Sequence, residues 1–516
     1  MNKLKVEVLL IKVKEHKIKY VENVEDVRLG YVDALLKKNR IDTYIMDLAF
    51  CQHDPLEDKE KIREFIVGNS PKIVIFFIDK HPTNGPANTI ELLDNLFAEG
   101  IFEGVRVAVY GNTHVDMESF FEHKVDSVIL GEEDSALSYV KCVLNDGEYE
   151  DVEGIAYLNA EMNVCVNSAS LRESLDELPF PTRYALNSTT INNYCASILS
   201  SRGCFGRCTY CYLRSKEKYF NRYPLRLRSV KNVVDEIESL YKLGVTEFYF
   251  SDDEFLQINS NAISRVVDFV EELKYRDLSI NYSIYARADC INEEIVQILA
   301  ESGLYCVFLG VESFSQNVLD RYNKGTLVET NVNAIRILQN NNVRVRLGMI
   351  MFDTMTTPEE LYETILTLKK VMDYKPELIF QSMFFSNALI PLSDTPALSL
   401  LKNVKEDDMI FNNSIQANYE KRSRSGVFKY SFMDGRISDI YTCTEKMAER
   451  LLTNCIKDEN ELFLHGYSEK CATRLTHITL FAIELLESIF ISIMDGICVE
   501  ECNKKIALSI DEYYAR

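Results

Sequence analysis

Cys204-Phe-Gly-Arg-Cys208-Thr-Tyr-Cys211 is the stretch from which the architecture of this chain can be inferred. Three cysteines spaced by three and then two residues can curl around one face of an iron–sulfur cubane, which leaves the fourth iron without a protein ligand. An open iron can bind a substrate or cofactor. Gly203 and Gly206 allow the tight turns of such a loop. Three reduced cysteines or an incomplete zinc site are the alternatives, although zinc usually takes paired cysteines or a histidine, and neither lies nearby.

The cysteine motif follows the first of six β-rich runs that alternate with helical patterns. This alternation predicts a partial (β/α)6 TIM-type barrel over residues 193–387, shorter than a closed eight-fold barrel. The motif would then lie at the carboxyl ends of the strands, where barrel chemistry is found. The predicted strands are Ala196–Ser200, Glu247–Phe250, Asn281–Tyr285, Cys306–Leu309, Val343–Met349 and a run around Leu378–Gln381.

The rest of the chain divides around this barrel. In residues 1–175, short apolar strands separated by helices predict an α/β, Rossmann-like parallel sheet covered on both faces. Residues 176–192 are a predicted linker, because two prolines in Leu178-Pro-Phe-Pro-Thr182 disfavour a helix. Residues 388–516 show a mostly helical pattern. The amino-terminal strands are predicted at Val6–Val13, Thr43–Asp47, Ile73–Ile78, Val105–Val109 and Val128–Leu130.

Composition excludes some classes of protein. Of the 516 residues, 57 are basic and 79 acidic, and the net charge of −22 argues against a nucleic-acid binder. Fourteen cysteines are too few for a disulfide scaffold. Lysines scattered through residues 1–16 argue against a signal peptide, and acidic residues interrupt the apolar run Leu480–Val499, which we interpret as a buried helix and not a membrane span. We therefore expect a protein of the reducing cytoplasm without a membrane partner.

The cysteine motif resembles the signature of radical S-adenosylmethionine (SAM) enzymes, in which an aromatic residue precedes the last cysteine. Three later segments resemble motifs of the same family: Phe248-Tyr-Phe-Ser-Asp-Asp-Glu254, Tyr285-Ala-Arg-Ala-Asp289 and Gly310-Val-Glu-Ser313. The resemblance implies a [4Fe-4S] cluster on Cys204, Cys208 and Cys211. It also implies that SAM is bound by Tyr210, Asp252, Asp253, Arg287 and Glu312. A guanidinium such as that of Arg287 can bind a carboxylate bidentately, and Glu312 could accept hydrogen bonds from ribose hydroxyls or an amino group. Taken alone, Arg287 or Glu312 could equally form a salt bridge at the barrel rim.

One segment departs from the family pattern. Where many members have a Gly-x-Pro-Gly-Glu-Thr-like segment, this chain has Gly348-Met-Ile-Met-Phe-Asp-Thr-Met-Thr-Thr357. The substrate identity of relatives therefore does not transfer to this chain.

The amino-terminal sheet resembles the cobalamin-binding domain of one large radical SAM class. Tyr110-Gly-Asn-Thr-His114 and Leu130-Gly-Glu-Glu-Asp134 are similar to its glycine turns, and the resemblance implies cobalamin contacts from Gly111, His114, Gly131 and Glu132. A sheet kept only for packing is the alternative, because Asn112 and Asp134 depart from the family residues. The usual Asp-x-His-x-x-Gly ligand motif is absent after the first strand, so the lower axial ligand stays open, with His81 as a poor match.

Two further features stay open at the level of sequence. The cysteines of the last 74 residues form no Cys-x-x-Cys pair, and Cys498 and Cys502 are interpreted as core residues of an apolar helix and not as a second cluster. The basic stretch Tyr419–Tyr430 is either a solvated loop or a site for an acidic or phosphate-bearing substrate.

Taken together, the resemblance implies an enzyme of natural-product biosynthesis. It would cleave SAM reductively and, with cobalamin, methylate an unactivated carbon of a small-molecule or peptide substrate, using a donor such as flavodoxin or ferredoxin for electrons. Cobalamin-dependent ring contraction or cyclisation is the alternative chemistry. A corrinoid or cluster sensor without turnover is the alternative from another class.

Overall fold

A computed structural model describes most of the chain as two parallel sheets with their helices and a helical carboxyl-terminal region. The described residues are 6–13, 25–48, 55–78, 87–111, 117–187, 195–220, 222–257, 261–381, 385–389, 395–397, 432–457 and 469–515.

The amino-terminal sheet has seven strands in the order β2-β1-β3-β4-β5-β6-β7. Strands β1 to β5 pair in parallel, whereas β5, β6 and β7 pair antiparallel. Ligands of such doubly wound sheets bind beyond the carboxyl ends of the strands, where the strand order reverses. The strands are β1 (Val8–Lys12), β2 (Thr43–Asp47), β3 (Ile73–Phe77), β4 (Arg106–Tyr110), β5 (Ser127–Ile129), β6 (Ile155–Leu158) and β7 (Val164–Val166).

The second sheet has six parallel strands in chain order, β8-β11-β12-β13-β14-β15, so it forms a partial barrel. A short antiparallel ribbon of β9 and β10 flanks the cysteine loop. The strands are β8 (Cys195–Ile198), β9 (Ser201–Arg202), β10 (Arg226–Leu227), β11 (Glu247–Phe250), β12 (Asn281–Arg287), β13 (Leu304–Glu312), β14 (Arg344–Met349) and β15 (Ile379–Phe380).

Helices cover the sheets and form the carboxyl-terminal region. The start of α12 follows local capping rules: Thr357 and Glu360 form a reciprocal capping box, and Pro358 is the first residue of the helix. The helices are α1 (Val27–Lys38), α2 (Pro55–Asn69), α3 (Ala87–Ala98), α4 (Met117–Glu122), α5 (Glu133–Leu144), α6 (Leu213–Phe220), α7 (Val230–Tyr241), α8 (Asn261–Tyr275), α9 (Glu293–Glu301), α10 (Gln316–Arg321), α11 (Val328–Asn340), α12 (Pro358–Met372), α13 (Gly435–Lys457), α14 (Glu469–Met494) and α15 (Val499–Ala515).

The apolar helix α14 packs against the barrel. Among the described residues, its segment Thr473–Met494 is the one stretch long and apolar enough to cross a membrane, and half of that window is buried inside the protein. Leu486 and Ile489 belong to the same apolar core as the barrel strands, and the Thr479 hydroxyl accepts a hydrogen bond from the backbone N–H of Gln381. In this structure α14 is a core helix, as the acidic interruptions predict.

The predicted fold class is confirmed, since the six barrel strands and the five parallel amino-terminal strands appear where the sequence places them. The domain bounds stay predictions. The interpretation of Cys498 is wrong: this residue is exposed in the turn before α15, whereas Cys502, inside that helix, is buried. The basic stretch Tyr419–Tyr430 lies outside the described residues.

Candidate active site

The cysteine loop runs from the end of β9 to the start of α6 and is tied to the barrel by its backbone. Gly203 begins the loop with a φ of 83°, and a side chain there would collide with the carbonyl oxygen of Pro224. The Thr209 N–H donates to the carbonyl of Tyr322 at 2.9 Å, and the Asn323 amide donates to the carbonyl of Arg207 at 2.9 Å. These contacts therefore hold the loop backbone against the barrel.

The three thiols of the loop fit a cluster of several irons. Cys208 is buried, and Cys204 and Cys211 are half-buried. Burial raises the pKa of Cys204 to about 11 and that of Cys211 to about 12, so metal binding must displace these protons. The described part of the chain gathers no three His, Cys, Asp or Glu side chains around a single ion. In a cubane, by contrast, each cysteine binds a different iron, so the sulfurs lie farther apart than ligands of one ion.

Donors of the protein point at two of these sulfurs. The backbone N–H of Gly206 lies 3.3 Å from Cys204 Sγ, and Nη1 of Arg287 lies 3.4 Å from Cys208 Sγ. N–H···S hydrogen bonds of this kind are a means by which proteins set the reduction potential of iron–sulfur clusters. The donor set thus suits a cluster held by Cys204, Cys208 and Cys211.

Asp252 and Asp253 accept hydrogen bonds from the backbone at the start of the cysteine loop. The Asp252 carboxylate accepts from the N–H groups of Ser200 and Ser201 at 2.7 and 2.8 Å, and burial raises its pKa to about 6. Asp253 accepts from the N–H of Gly203 and from the Tyr212 hydroxyl. That these carboxylates meet SAM stays a prediction, and in this structure they anchor the turn that starts the loop.

Glu254, the next residue, was missed by the sequence reasoning. Its buried carboxylate accepts from the backbone N–H groups of Leu256 and Arg287, and burial raises its pKa to about 8. Three consecutive acidic residues, one position after the end of β11, could have drawn attention to it.

Tyr210 and Glu312 meet at the carboxyl end of β13. Glu312 adopts a φ of 63° at a bulge in the β13–β14 pairing, which turns its carboxylate toward the cysteine loop. Burial and the hydrogen-bonded Glu312 carboxylate raise the pKa of Tyr210 well above its usual value. The structure therefore brings these two predicted residues together.

The buried Lys324 is a second residue that sequence reasoning missed. Its ammonium donates to Glu312 at 2.9 Å, and the carboxylates and cysteines around it raise the lysine pKa although burial alone lowers it. No periodicity or motif singled out this lysine in the sequence.

On the amino-terminal side, Gly131 and Glu132 lie in the turn between β5 and α5. A side chain at Gly131 would collide with Ser135 of α5, so the glycine is required for packing. Glu132 accepts from the Tyr223 hydroxyl at 2.7 Å and from Arg226 at 2.5 Å. Although burial alone raises the pKa of Glu132, Arg202 and Arg226 lower it to about 2. The carboxylate predicted to meet cobalamin is thus engaged by the barrel domain.

The other predicted corrinoid contacts are only partly described. Gly111 follows β4 directly, and its N–H donates to the carbonyl of Ile129 at 3.2 Å. His81 and His114 lie outside the described residues. The cobalamin contacts therefore stay predictions.

The two domains share a core next to the cysteine loop. Leu213, Tyr219 and Phe220 of α6 belong to the same buried apolar cluster as β3 and β4 of the amino-terminal sheet. Arg202, which precedes the loop, forms two hydrogen bonds to Glu133 at 2.6 and 2.9 Å. The loop and the carboxyl edge of the amino-terminal sheet are therefore held against each other.

A sequence-family profile described as the radical SAM superfamily matches residues 198–368, which begin at β8 and include the cysteine loop. These residues form a radical SAM domain. The family implies SAM and an iron–sulfur cluster as the cofactors of this domain.

Solved structures with the same overall fold include a cobalamin-dependent radical SAM enzyme and a radical SAM methyltransferase. OxsB, solved with aqua-cobalamin and SAM bound, superposes with a TM-score of 0.75 at 19% identity over 94% of this chain and 72% of its own. TsrM of Kitasatospora setae, a radical SAM methyltransferase solved with tryptophan and a SAM analogue, superposes with a TM-score of 0.62 at 15% identity, covering 77% of this chain and 76% of its own. At these identities the likeness shows the fold.

Curated proteins similar to this chain carry varied names. 4′-Phospho-dehydrooxetanocin synthase of Priestia megaterium is 27% identical over 50% of this chain and 36% of its own length. An anaerobic magnesium-protoporphyrin IX monomethyl ester cyclase of Rubrivivax gelatinosus is 29% identical, over 52% of this chain and 49% of its own. The match thus spans half or less of these two proteins. Cytidylyl-2-hydroxyethylphosphonate methyltransferase of Streptomyces wedmorensis is 22% identical over 69% of this chain and 74% of its own.

Proposed function

We propose that this chain is a cobalamin-dependent radical SAM enzyme that methylates an unactivated carbon of a small-molecule or peptide substrate. The observation that carries the proposal is the fold of the whole chain: 94% of it superposes on OxsB, a cobalamin-dependent radical SAM enzyme. Methyltransferases occur among both the structural neighbours and the curated relatives, as TsrM and cytidylyl-2-hydroxyethylphosphonate methyltransferase illustrate.

When bound, the [4Fe-4S] cluster and SAM supply radical chemistry by reductive cleavage, and cobalamin supplies a methyl carrier. Cys204, Cys208 and Cys211 would hold the cluster. Asp252 and Asp253 keep the loop in place through Ser200, Ser201 and Gly203, with hydrogen bonds of 2.6–2.9 Å. The protein's part is to orient the reactants and to exclude water.

Cobalamin would lie at the carboxyl edge of the amino-terminal sheet, near Gly111 and Gly131. The packing of α6 onto that sheet supports this placement, because it brings the cysteine loop to the same edge. The Glu132 and Glu133 carboxylates, bound to Arg226 and Arg202, keep the two edges in register. An external one-electron donor such as flavodoxin or ferredoxin would reduce the cluster.

A second candidate is a cobalamin-dependent ring contraction or cyclisation. Two of the curated relatives are named a synthase and a cyclase, at 27% and 29% identity. Both candidates share the cluster, SAM and cobalamin, so only the fate of the methyl group separates them.

The first experiment asks whether the protein cleaves SAM. After anaerobic reconstitution with iron, sulfide and hydroxocobalamin, dithionite and SAM should yield 5′-deoxyadenosine, and the purified protein should show a corrinoid spectrum. The matched variants are Cys208→Ala, which should abolish the nucleoside, and Cys306→Ala, a buried cysteine of β13 that should not. Wild-type protein that forms no 5′-deoxyadenosine would contradict the enzyme proposal, and a missing corrinoid spectrum would contradict the amino-terminal assignment.

The second experiment separates the two candidates. The loaded enzyme is incubated with an extract of the cells that encode it and with SAM carrying an isotopically labelled methyl group. Label on a carbon of a new product supports methylation. A product of altered ring size without label supports the rearrangement instead.

A further inference from the structure

The guanidinium of Arg287 has almost no free donors. Of its five N–H groups, four are hydrogen-bonded: Nε and Nη2 to the Asp289 carboxylate at 2.9 and 2.8 Å, Nη2 to the carbonyl of Lys324 at 2.6 Å, and Nη1 to Cys208 Sγ at 3.4 Å. Bidentate binding of a carboxylate needs two parallel N–H groups along one edge of the fork. Asp289 occupies one edge, and the other is divided between the Lys324 carbonyl and Cys208.

The residues around Arg287 orient its guanidinium toward the cysteine loop. Its guanidinium carbon lies 5.4 Å from the centre of the Phe205 ring, which stacks on it from the loop. A Cβ at Gly206 would lie 2.7 Å from Nη1, so glycine at this position lets the guanidinium approach the loop backbone. The backbone N–H of Arg287 is fixed by Glu254 at 2.9 Å. Backbone, side chain and loop thus lock a single orientation.

We propose that Arg287 acts on the iron–sulfur cluster through Cys208 and is not the residue that binds the carboxylate of SAM. This inference rests on the proposed cluster site. A positive donor beside a ligand sulfur stabilises the more negative, reduced cluster and therefore raises its reduction potential. Asp289 is the positioning residue that orients the guanidinium, since it holds two of its donors.

The same proposal assigns the carboxylate of SAM to Lys324. Its side chain is 4% exposed, and its hydrogen bond to Glu312 uses one of the three donors of an ammonium. It also lies beside Gly310, where an added Cβ would be 2.9 Å from Nζ. The absence of a side chain at Gly310 thus gives the ammonium its place at the carboxyl end of β13.

The test measures the cluster potential and SAM affinity separately. In cluster-loaded protein without SAM, an EPR-monitored redox titration should show a more negative midpoint potential for Arg287→Gln than for wild type. Equilibrium dialysis with labelled SAM should show a dissociation constant within about threefold of wild type for Arg287→Gln. Lys324→Gln should weaken binding about tenfold or more, the loss expected for a charge-assisted hydrogen bond.

Several variants serve as controls for this test. Arg276→Gln removes an arginine that lies directly after α8 and pairs with Asp235, Glu238 and Glu272, and it should leave the potential unchanged. Arg287→Lys keeps the positive charge, so its midpoint potential should lie between those of Arg287→Gln and wild type. Iron and sulfide content is measured first, and if Arg287→Gln does not retain the cluster, Asp289→Asn takes its place with a smaller shift in the same direction.

Either an unchanged midpoint potential or a tenfold loss of SAM affinity in Arg287→Gln would overturn the inference. Wild-type protein that assembles no cluster would contradict the proposed function itself. The two failures are therefore distinguishable.

Discussion

At the scale of single residues, the two glycines of the cysteine loop are required for different physical reasons. Gly203 has a φ of 83°, a conformation that costs other residues free energy, and the carbonyl of Pro224 blocks the place of a Cβ. Gly206 has no such φ, and its missing side chain admits the Arg287 guanidinium. The sequence predicted tight turns at both positions, but only Gly203 lies in the left-handed region.

Gly203→Ala should destabilise the metal-free protein more than a matched glycine replacement does. Gly104 has a φ of 73° with nothing within 4 Å of its missing Cβ, so Gly104→Ala reports the backbone cost alone, about 1 kcal/mol. Gly203→Ala adds overpacking of about 1–3 kcal/mol. Urea unfolding of both variants measures the difference. Equal losses would show that Pro224 does not restrict this position.

Glu254 should make the stability of the metal-free protein depend on pH. Burial raises its pKa to about 8, from an ordinary value of 4.5. Between these values the folded state holds a proton that the unfolded state has lost, so the free energy of unfolding falls as the pH rises through this range. The fall should amount to a few kcal/mol at about 1.4 kcal/mol per pKa unit.

Glu254→Gln should flatten this pH dependence, because an amide does not ionise. Loss of one acceptor oxygen costs the variant a constant amount, so the change of stability between pH 5 and 8.5 is the quantity to compare. Urea unfolding at a series of pH values provides the measurement, and the exposed Glu363→Gln serves as the control. Parallel pH profiles for wild type and Glu254→Gln would contradict the raised pKa.

At the scale of secondary-structure elements, the apolar helix α14 is explained by its neighbours. By composition alone, Thr473–Met494 could cross a membrane. Its side chains Ile478, Leu486 and Ile489 instead enter the core cluster of the barrel, and Lys369 of α12 pairs with Glu487 at 2.6 Å. A helix that is apolar on most of its surface is expected where it is enclosed by other elements.

Leu486→Ala should therefore behave as a core truncation. Leu486 is fully buried, and its replacement should cost about 2–5 kcal/mol of unfolding free energy. The control is Leu508→Ala in α15, a leucine with 64% exposure, which should change stability by less than about 0.5 kcal/mol. Thermal and urea unfolding report both. Similar small losses would place α14 outside the core.

At the scale of the whole molecule, buried charges join the two domains. Glu132 and Glu133 of the amino-terminal domain pair with Arg202 and Arg226 of the ribbon that flanks the cysteine loop, and all four side chains are at most 10% exposed. A buried charge is costly without its partner, so this cluster fixes one relative orientation of the domains.

A double-mutant cycle on Arg202 and Glu133 should measure this coupling. Arg202→Met should destabilise the metal-free protein by about 3–5 kcal/mol, because it leaves the buried Glu133 carboxylate without its cation. Glu133→Gln should cost less, because Arg202 keeps Glu132 at 3.3 Å, and the double variant should lose less than the sum of the two. The exposed pair Lys504–Glu500 in α15, with side chains 72% and 80% exposed, is the control and should couple by less than about 1 kcal/mol. If the two losses of stability simply add, Arg202 and Glu133 do not stabilise the contact between the domains together.

Local sequence patterns predicted most strands and helices, and the elements that were missed have weak patterns. Strand β3 begins at the predicted Ile73 and ends at Phe77, because a strand that is buried along its whole length reads as a continuous apolar run. The antiparallel strands β6 and β7 were missed, since they are only four and three residues long and β7 is not buried. Cys498 was misassigned because helical spacing was extended past the turn that precedes α15.

The sequence by itself determined the two parallel sheets and the cysteine loop, because hydrophobic periodicity and ligand spacing are local properties of the chain. Only the tertiary structure decided which groups form hydrogen bonds with the charged side chains. Arg287 meets Cys208 across 79 positions, and Glu132 meets Arg226 across 94. Hydrogen-bond donors are few and directional, so their partners follow from the packing of distant elements, which no local pattern encodes.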